Sequence, residues 1–273
     1  MEHFKSPFGA SDFVSARALE NQKFFEDMLE RTKSHRFYTH PFLSSIERVP
    51  SRDLVRFVLT SFYKIVSPFT GVLCSLGGHA PDLKTRFALM DNIFEEMGCG
   101  ELSGAHPSLY LKMLASIGVN AEAAESAPTL GPIRRVNDHL REVVDRRHFS
   151  VACAVLASAE AAIPPTFPIL ATMARRAFGD IDMAFFDRHG PRDAGHSDDA
   201  SMLFAVSGDR SHFATVEAEV WLDLDFRAEL FDEWMAAFSK DVSQRPSTLS
   251  ERPRPISVRP PPPAHRPSVP PPA

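Results

Sequence analysis

Residues 149–165 read FSVACAVLASAEAAIPP. From Val151 to Ala159 the run is apolar apart from one serine, with Ala, Val and Leu on nearly every side of a helix. A helix that is apolar all round is a buried one. The run is too short to span a bilayer, and it runs into Glu160. The spacing therefore predicts a core helix with a carboxylate in its middle. A buried carboxylate costs several kcal/mol unless it is paired, protonated or bound to a metal; a salt bridge to an arginine is the plain alternative to a ligand. Pro164 and Pro165 break or kink this helix four and five residues further on.

The same three- and four-residue apolar spacing extends outward on both sides. It covers 11–34, 51–78, 80–98, 107–117, 132–146, 149–179, 181–207 and 210–241, while period-two alternation is scarce. Start signals agree, with Pro50-Ser51-Arg52-Asp53 opening one helix and Ala80-Pro81-Asp82 the next. Stop signals agree too, at Gly77-Gly78, at Gly98-Cys99-Gly100 and at Gly179. Short connections between helices imply antiparallel neighbours, so the body is predicted to be an all-α bundle. No internal repeat is visible.

Composition fits an ordinary globular body, at 44% hydrophobic and 24% charged over 273 residues. The net charge of −5 offers no basic footprint for nucleic acid. Three cysteines without C-x-x-C spacing make neither a disulfide framework nor a zinc ribbon, and point to a reducing cytoplasm. No signal peptide or membrane span is expected. The organisation changes near Asp241. Residues 244–273 hold 11 of the 23 prolines, with five arginines and one glutamate. Such a segment buries too little apolar surface to offset its ordering entropy. We read 1–243 as the helical domain and 244–273 as a disordered tail of polyproline II character. The tail could bind a proline-recognising domain or fold back on the acidic body; a solubilising role is the plain reading.

Two further stretches carry chemistry. Residues 185–200 read FFDRHGPRDAGHSDDA, giving His189, Asp193 and His196 the spacing H-x3-D-x2-H. At about 100° per residue, Asp193 lies roughly 40° from His189 and His196 roughly 20° on its other side. Two imidazoles and a carboxylate on one stripe suit Fe, Mn or Zn; the plain alternative is a solvated face. Gly190-Pro191 interrupts this spacing, so either the helix frays there without metal or Pro191 sits in the first turn of a new helix. Residues 91–110 read DNIFEEMGCGELSGAHPSLY. Glu95 and Glu96 end one helix, His106 opens the next, and the glycine-rich linker could fold His106 back beside either carboxylate. A solvated pair of glutamates is again the plain reading. A continuous helix would favour Glu95, but Gly98, Gly100, Gly104 and Pro107 make one improbable. Together the three stretches order carboxylate, His, carboxylate, His, Asp and His along a helical chain. Inward carboxylates and histidines of one bundle are how such scaffolds hold two iron or manganese ions, although the ferritin-like Glu-x-x-His pair is absent.

In order and spacing these pieces resemble the haem-oxygenase-like diiron oxidases and oxygenases. That family is often described as iron-containing redox enzymes, related to the pyrroloquinoline quinone synthase and thiaminase helical families. The resemblance covers roughly residues 40–240. It is carried by N-I-F-E-E-M-G-C-G with His106-Pro107, by S-A-E-A-A-I-P, and by F-F-x-x-H-x3-D-x2-H, with SFYKIVSPFTGVL upstream. It implies a haem-oxygenase-like bundle whose metal ligands are Glu96, His106, Glu160, His189, Asp193 and His196, with Glu96 preferred over Glu95 for its place two residues before Gly98. It implies two Fe ions per chain, with Mn admitted, and O2 and a small metabolite as reactants. The chemistry implied is N-oxygenation, desaturation or oxidative C–C cleavage. A homodimer is compatible with it. An additional glutamate ligand used by some members has no counterpart, since residues 61–79 contain no acid. Two rivals stand beside this reading: a metal-free, thiaminase-like or quinone-cofactor-synthase-like enzyme of the same fold, and a non-enzymatic protein that binds partners through its tail.

Overall fold

The computed structural model describes residues 15–47 and 50–244, with Phe8 and Asp12 before them; the side chains of 45–47, 189–199 and 242–244 lie outside the described residues. The proline-rich tail beyond residue 244 lies outside them as well. All regular structure among the described residues is helical. Helix α1 (Ala16–Thr32) starts at Ser15, whose hydroxyl accepts from the Ala18 amide. After a 3-10 turn (Pro41–Glu47) come α2 (Arg52–His79), α3 (Leu83–Glu96), α4 (His106–Ser116), α5 (Ala121–Ser126) and α6 (Gly131–Arg146). The chain continues through α7 (Phe149–Ala161), α8 (Ile163–Phe178), α9 (Ala184–Ser207) and α10 (Phe213–Gln244). Side-chain caps fix several starts, since the first amides of a helix have no internal acceptor. Ser51 caps α2, Asp82 caps α3 and Asn120 caps α5.

Four boundaries depart from the sequence reading. Gly77 and Gly78 fall inside the last turn of α2 rather than ending it. The 149–179 segment is two helices, divided at Ala162, because Pro164 and Pro165 occupy the first turn of α8, where a proline lacks no needed donor. The short α5 and the 3-10 turn were not anticipated. Lastly, α9 runs through Gly190 and Pro191 from a start at Ala184, so Pro191 is not in the first turn of a new helix.

Every residue of α7 from Phe149 to Glu160 is buried. Helices α9, α10 and α6 pack around it, and α2 packs on α6. Two stretches, Arg52–His79 and Phe149–Phe178, are long and apolar enough to cross a membrane; 44% and 72% of their most apolar windows are buried within the body.

Helix α10 is clamped to the segment after α1 by a repeated device. His35 Nδ1 accepts from the Phe37 amide and His40 Nδ1 from the Phe42 amide, both at 3.1 Å. Accepting there leaves the proton on Nε2, which faces Asp225 in one case (3.2 Å) and Asp232 in the other (3.0 Å). The device seats Phe37 and Phe42 against Phe231 of α10. Trp234 then donates to the Ser61 hydroxyl at 2.9 Å, tying α10 to α2.

Candidate metal centre

Helix α3 ends at Glu96, and three consecutive residues with positive φ follow: Gly98 (+82°), Cys99 (+57°) and Gly100 (+92°). This left-handed run reverses the chain, with the Cys99 amide donating to the Phe94 carbonyl at 2.8 Å. A Cβ at position 98 would lie 2.3 Å from both Ala105 N and Glu101 O, so only glycine fits. A 3-10 turn at Leu102–Gly104 completes the reversal, and α4 begins at His106. The result sets His106 Nδ1 2.8 Å from Glu96 Oε1, with both side chains about 95% buried. Arg188 of α9 donates to the Gly104 carbonyl at 3.0 Å and holds this corner against the bundle.

Glu160 approaches from another wall and is 4% exposed. It stands in the last turn of α7 rather than mid-helix, as the division at Ala162 dictates. Glu96, His106 and Glu160 share one cavity, walled mainly by Phe62, Phe69, Phe167 and Phe185. Its volume is about 60 Å³, on a measure by which one water needs roughly 10–15 Å³. A few waters or the reacting end of a small molecule fit.

Glu96 lines this cavity and Glu95 does not. The buried stripe of α3 is Thr85, Leu89, Asn92, Ile93 and Glu96, so helical phase turns Glu96 inward and leaves Glu95 half-buried. Next to the corner, Tyr110 is fully buried and donates to the Leu59 carbonyl at 3.0 Å. Burial pushes its phenol well above the usual range, so it stays protonated.

The side chains of His189, Asp193 and His196 lie outside the described residues. Their positions in α9 fall in helical register between Phe185, which lines the cavity, and the buried Ala200 and Leu203. Among the described residues no group of three or more His, Cys, Asp or Glu stands ready to hold a metal ion. The described donors do fit one in kind. Buried carboxylates in an apolar cavity are paired, protonated or bound to a metal, and imidazole with carboxylate suits iron or manganese. Donors about 2.1 Å from one ion sit roughly 3 Å apart when at right angles, which the Glu96–His106 spacing matches.

Sequence reasoning missed Arg227, which lines the same cavity from α10, and its partner Asp223. The available signal was an acid and a base four residues apart within the stripe Val216, Val220, Leu224 and Phe231, which is apolar and buried.

We expect Glu96→Gln to lose iron on anaerobic loading and Glu95→Gln to retain it, by metal analysis of the purified variants. The reverse result reassigns the ligand.

The family model for iron-containing redox enzymes matches residues 56–228. No curated protein sequence matches the chain. Among solved structures, a CADD-like protein of unknown function from Nostoc punctiforme is similar at TM-score 0.67 and 15% identity, over 81% of this chain and 99% of that one. A domain of unknown function with a heme oxygenase-like fold, from Shewanella denitrificans, gives 0.62 and 19%, over 84% and 96%. A TenA homolog from Pseudomonas syringae pv. tomato gives 0.58 and 15%, over 86% and 99%. At such identities these likenesses show the fold, a heme-oxygenase-like bundle. The family match covers well over half of the chain, which therefore belongs to the iron-containing redox enzymes.

Proposed function

We propose that this iron-containing redox enzyme is a non-haem diiron oxidase or oxygenase that uses O2 to oxidise a small metabolite. The observation that carries the reading is the convergence of Glu96, His106 and Glu160, all about 95% buried, on one cavity with phenylalanine walls. Glu96, His106 and Glu160 would hold iron together with His189, Asp193 and His196 of α9; manganese suits the same donors. When bound, the metal pair supplies redox equivalents and open positions for O2 and substrate.

The rest is the work of the chain itself. The glycine turn at 98–100 fixes Glu96 and His106 as a preassembled pair, so little reorganisation is needed on binding. Helix α7 carries Glu160 on an element buried along its length. Phe62, Phe69, Phe167 and Phe185 keep the cavity small and apolar, which limits bulk water near a reactive site.

The expected result of anaerobic Fe(II) loading is about two ions per chain, with a Mössbauer signature of a coupled diferric pair after exposure to O2. Fewer than half an ion per chain, with no coupled signal, overturns the reading and leaves the metal-free alternative of the same fold.

A further inference from the structure

We propose that Arg227 is the substrate-anchoring residue of this cavity, and that the substrate carries a carboxylate at one end of a small apolar body. The inference rests on reading the cavity as the reaction site, and adds to it a substrate class.

Arg227 lines the cavity that holds Glu96, His106 and Glu160, and its side chain is only 12% exposed. Asp223, one turn earlier on α10 and 1% exposed, accepts from its Nε. Among the described residues this is its one ion pair and its one hydrogen bond. A guanidinium has five N–H donors in a rigid fork, so the four on the terminal nitrogens are left for whatever occupies the cavity. Among the described residues none of those four meets an acceptor, so they are open to an occupant of the cavity.

Glu96 is set against His106, and the ion pair of Arg227 among the described residues is with Asp223. Asp223 fixes which edge of the guanidinium remains open. The pose is fixed further by α10, which is clamped on either side of Arg227 in sequence, at Asp225 and Asp232, by His35 and His40. Two parallel N–H bonds from a fixed fork match a carboxylate bidentately. Asp223 formally neutralises the arginine, so recognition depends on hydrogen-bond geometry more than on net charge, and a lysine should replace it poorly. The phenylalanine walls and the volume of about 60 Å³ set the rest of the ligand: short and apolar.

The test is calorimetric titration of the full chain, loaded anaerobically with Fe(II). The probes are 3-phenylpropanoate against 3-phenylpropanamide, and hexanoate against hexanamide, with phenyl phosphate as a third anion. Each carboxylate should bind at least tenfold tighter than its amide and than phenyl phosphate. Arg227→Gln and Arg227→Lys should each weaken carboxylate binding at least tenfold, leave amide binding within twofold and leave iron content unchanged, with Arg227→Gln melting lower because Asp223 loses its cation and Arg227→Lys melting closer to wild type. Arg227→Lys keeps a positive charge at the site should Arg227→Gln fail to fold. Equal affinity for acid and amide, no binding of either acid, preference for the phosphate, or an acid-to-amide ratio that survives both substitutions overturns the proposal. If the protein takes up no iron, the diiron reading falls. The acid-to-amide ratio of the metal-free protein, and its dependence on Arg227, then still decides this one.

Discussion

Glu160→Ala is expected to reduce iron uptake from about two ions per chain to one or none and to lower turnover at least a hundredfold, while the bundle stays folded. The carboxylate is 4% exposed at the end of a helix buried along its length. A carboxylate so deeply buried is held as a charge only when it is paired or bound to a metal, and a negative charge in the last turn of a helix opposes the helix dipole. Alanine is the best helix former and fits the apolar character of α7. The metal-free variant should therefore keep the helical content and cooperative melting of metal-free wild type. Loss of metal without loss of fold marks a group kept for binding and not for stability. Metal analysis and thermal melting of both forms check this. Two irons and full turnover in the variant would remove Glu160 from the centre.

Gly98→Ala should be the costliest single-methyl change near the site, at about 3 kcal/mol or more of folding stability. A non-glycine residue at the observed φ of +82° is strained by roughly 1–2 kcal/mol. The added Cβ would also meet Ala105 N and Glu101 O at 2.3 Å and Gly104 C at 2.5 Å. These are backbone atoms, so relief requires the 98–105 turn to open, which separates Glu96 from His106. Gly100 is the internal control. Its φ is +92°, but the nearest atoms to an added Cβ belong to the Phe94 ring at 3.8 Å. Gly100→Ala should cost only about 1 kcal/mol and keep its iron. Chemical denaturation of the two metal-free variants, with iron content measured alongside, separates them. Equal losses at 98 and 100 would show that strain alone, and not the close approach, governs this turn.

Much of the fold was legible because helical signals are local. Ser51, Asp82, Gly98 and Gly179 mark starts and stops through their own backbone and side-chain chemistry, and each acts as such in the structure. Local chemistry also misled where two signals compete. Gly77-Gly78 reads as a stop, yet α2 continues through it, because Gly77 packs beneath Ile93 of α3 and tertiary contact overrides propensity. The proline pair after Glu160 announces a break, but whether the helix kinks or restarts depends on how α8 docks.

The candidate site divides along the same line. By itself the sequence determined the helical class, the glycine corner that returns His106 toward α3, and the carboxylate at the end of an all-apolar run. Periodicity defines the stripes of a helix but not which stripe meets the body. Helix α3 shows this most plainly. Thr85, Leu89, Asn92 and Glu96 form its buried stripe, while Leu83, Phe87, Met90, Phe94 and Met97 are equally regular, more apolar, and exposed. Nothing in the pattern ranks the two, and so nothing in it separates Glu96 from Glu95. Likewise the spacing of Asp223 and Arg227 shows only that an acid and a base one turn apart can pair. Only the packing of α10 against the bundle removes them from water and gives Arg227 a place in the cavity wall, because burial is a property of the assembled neighbours and not of the chain that carries the charge.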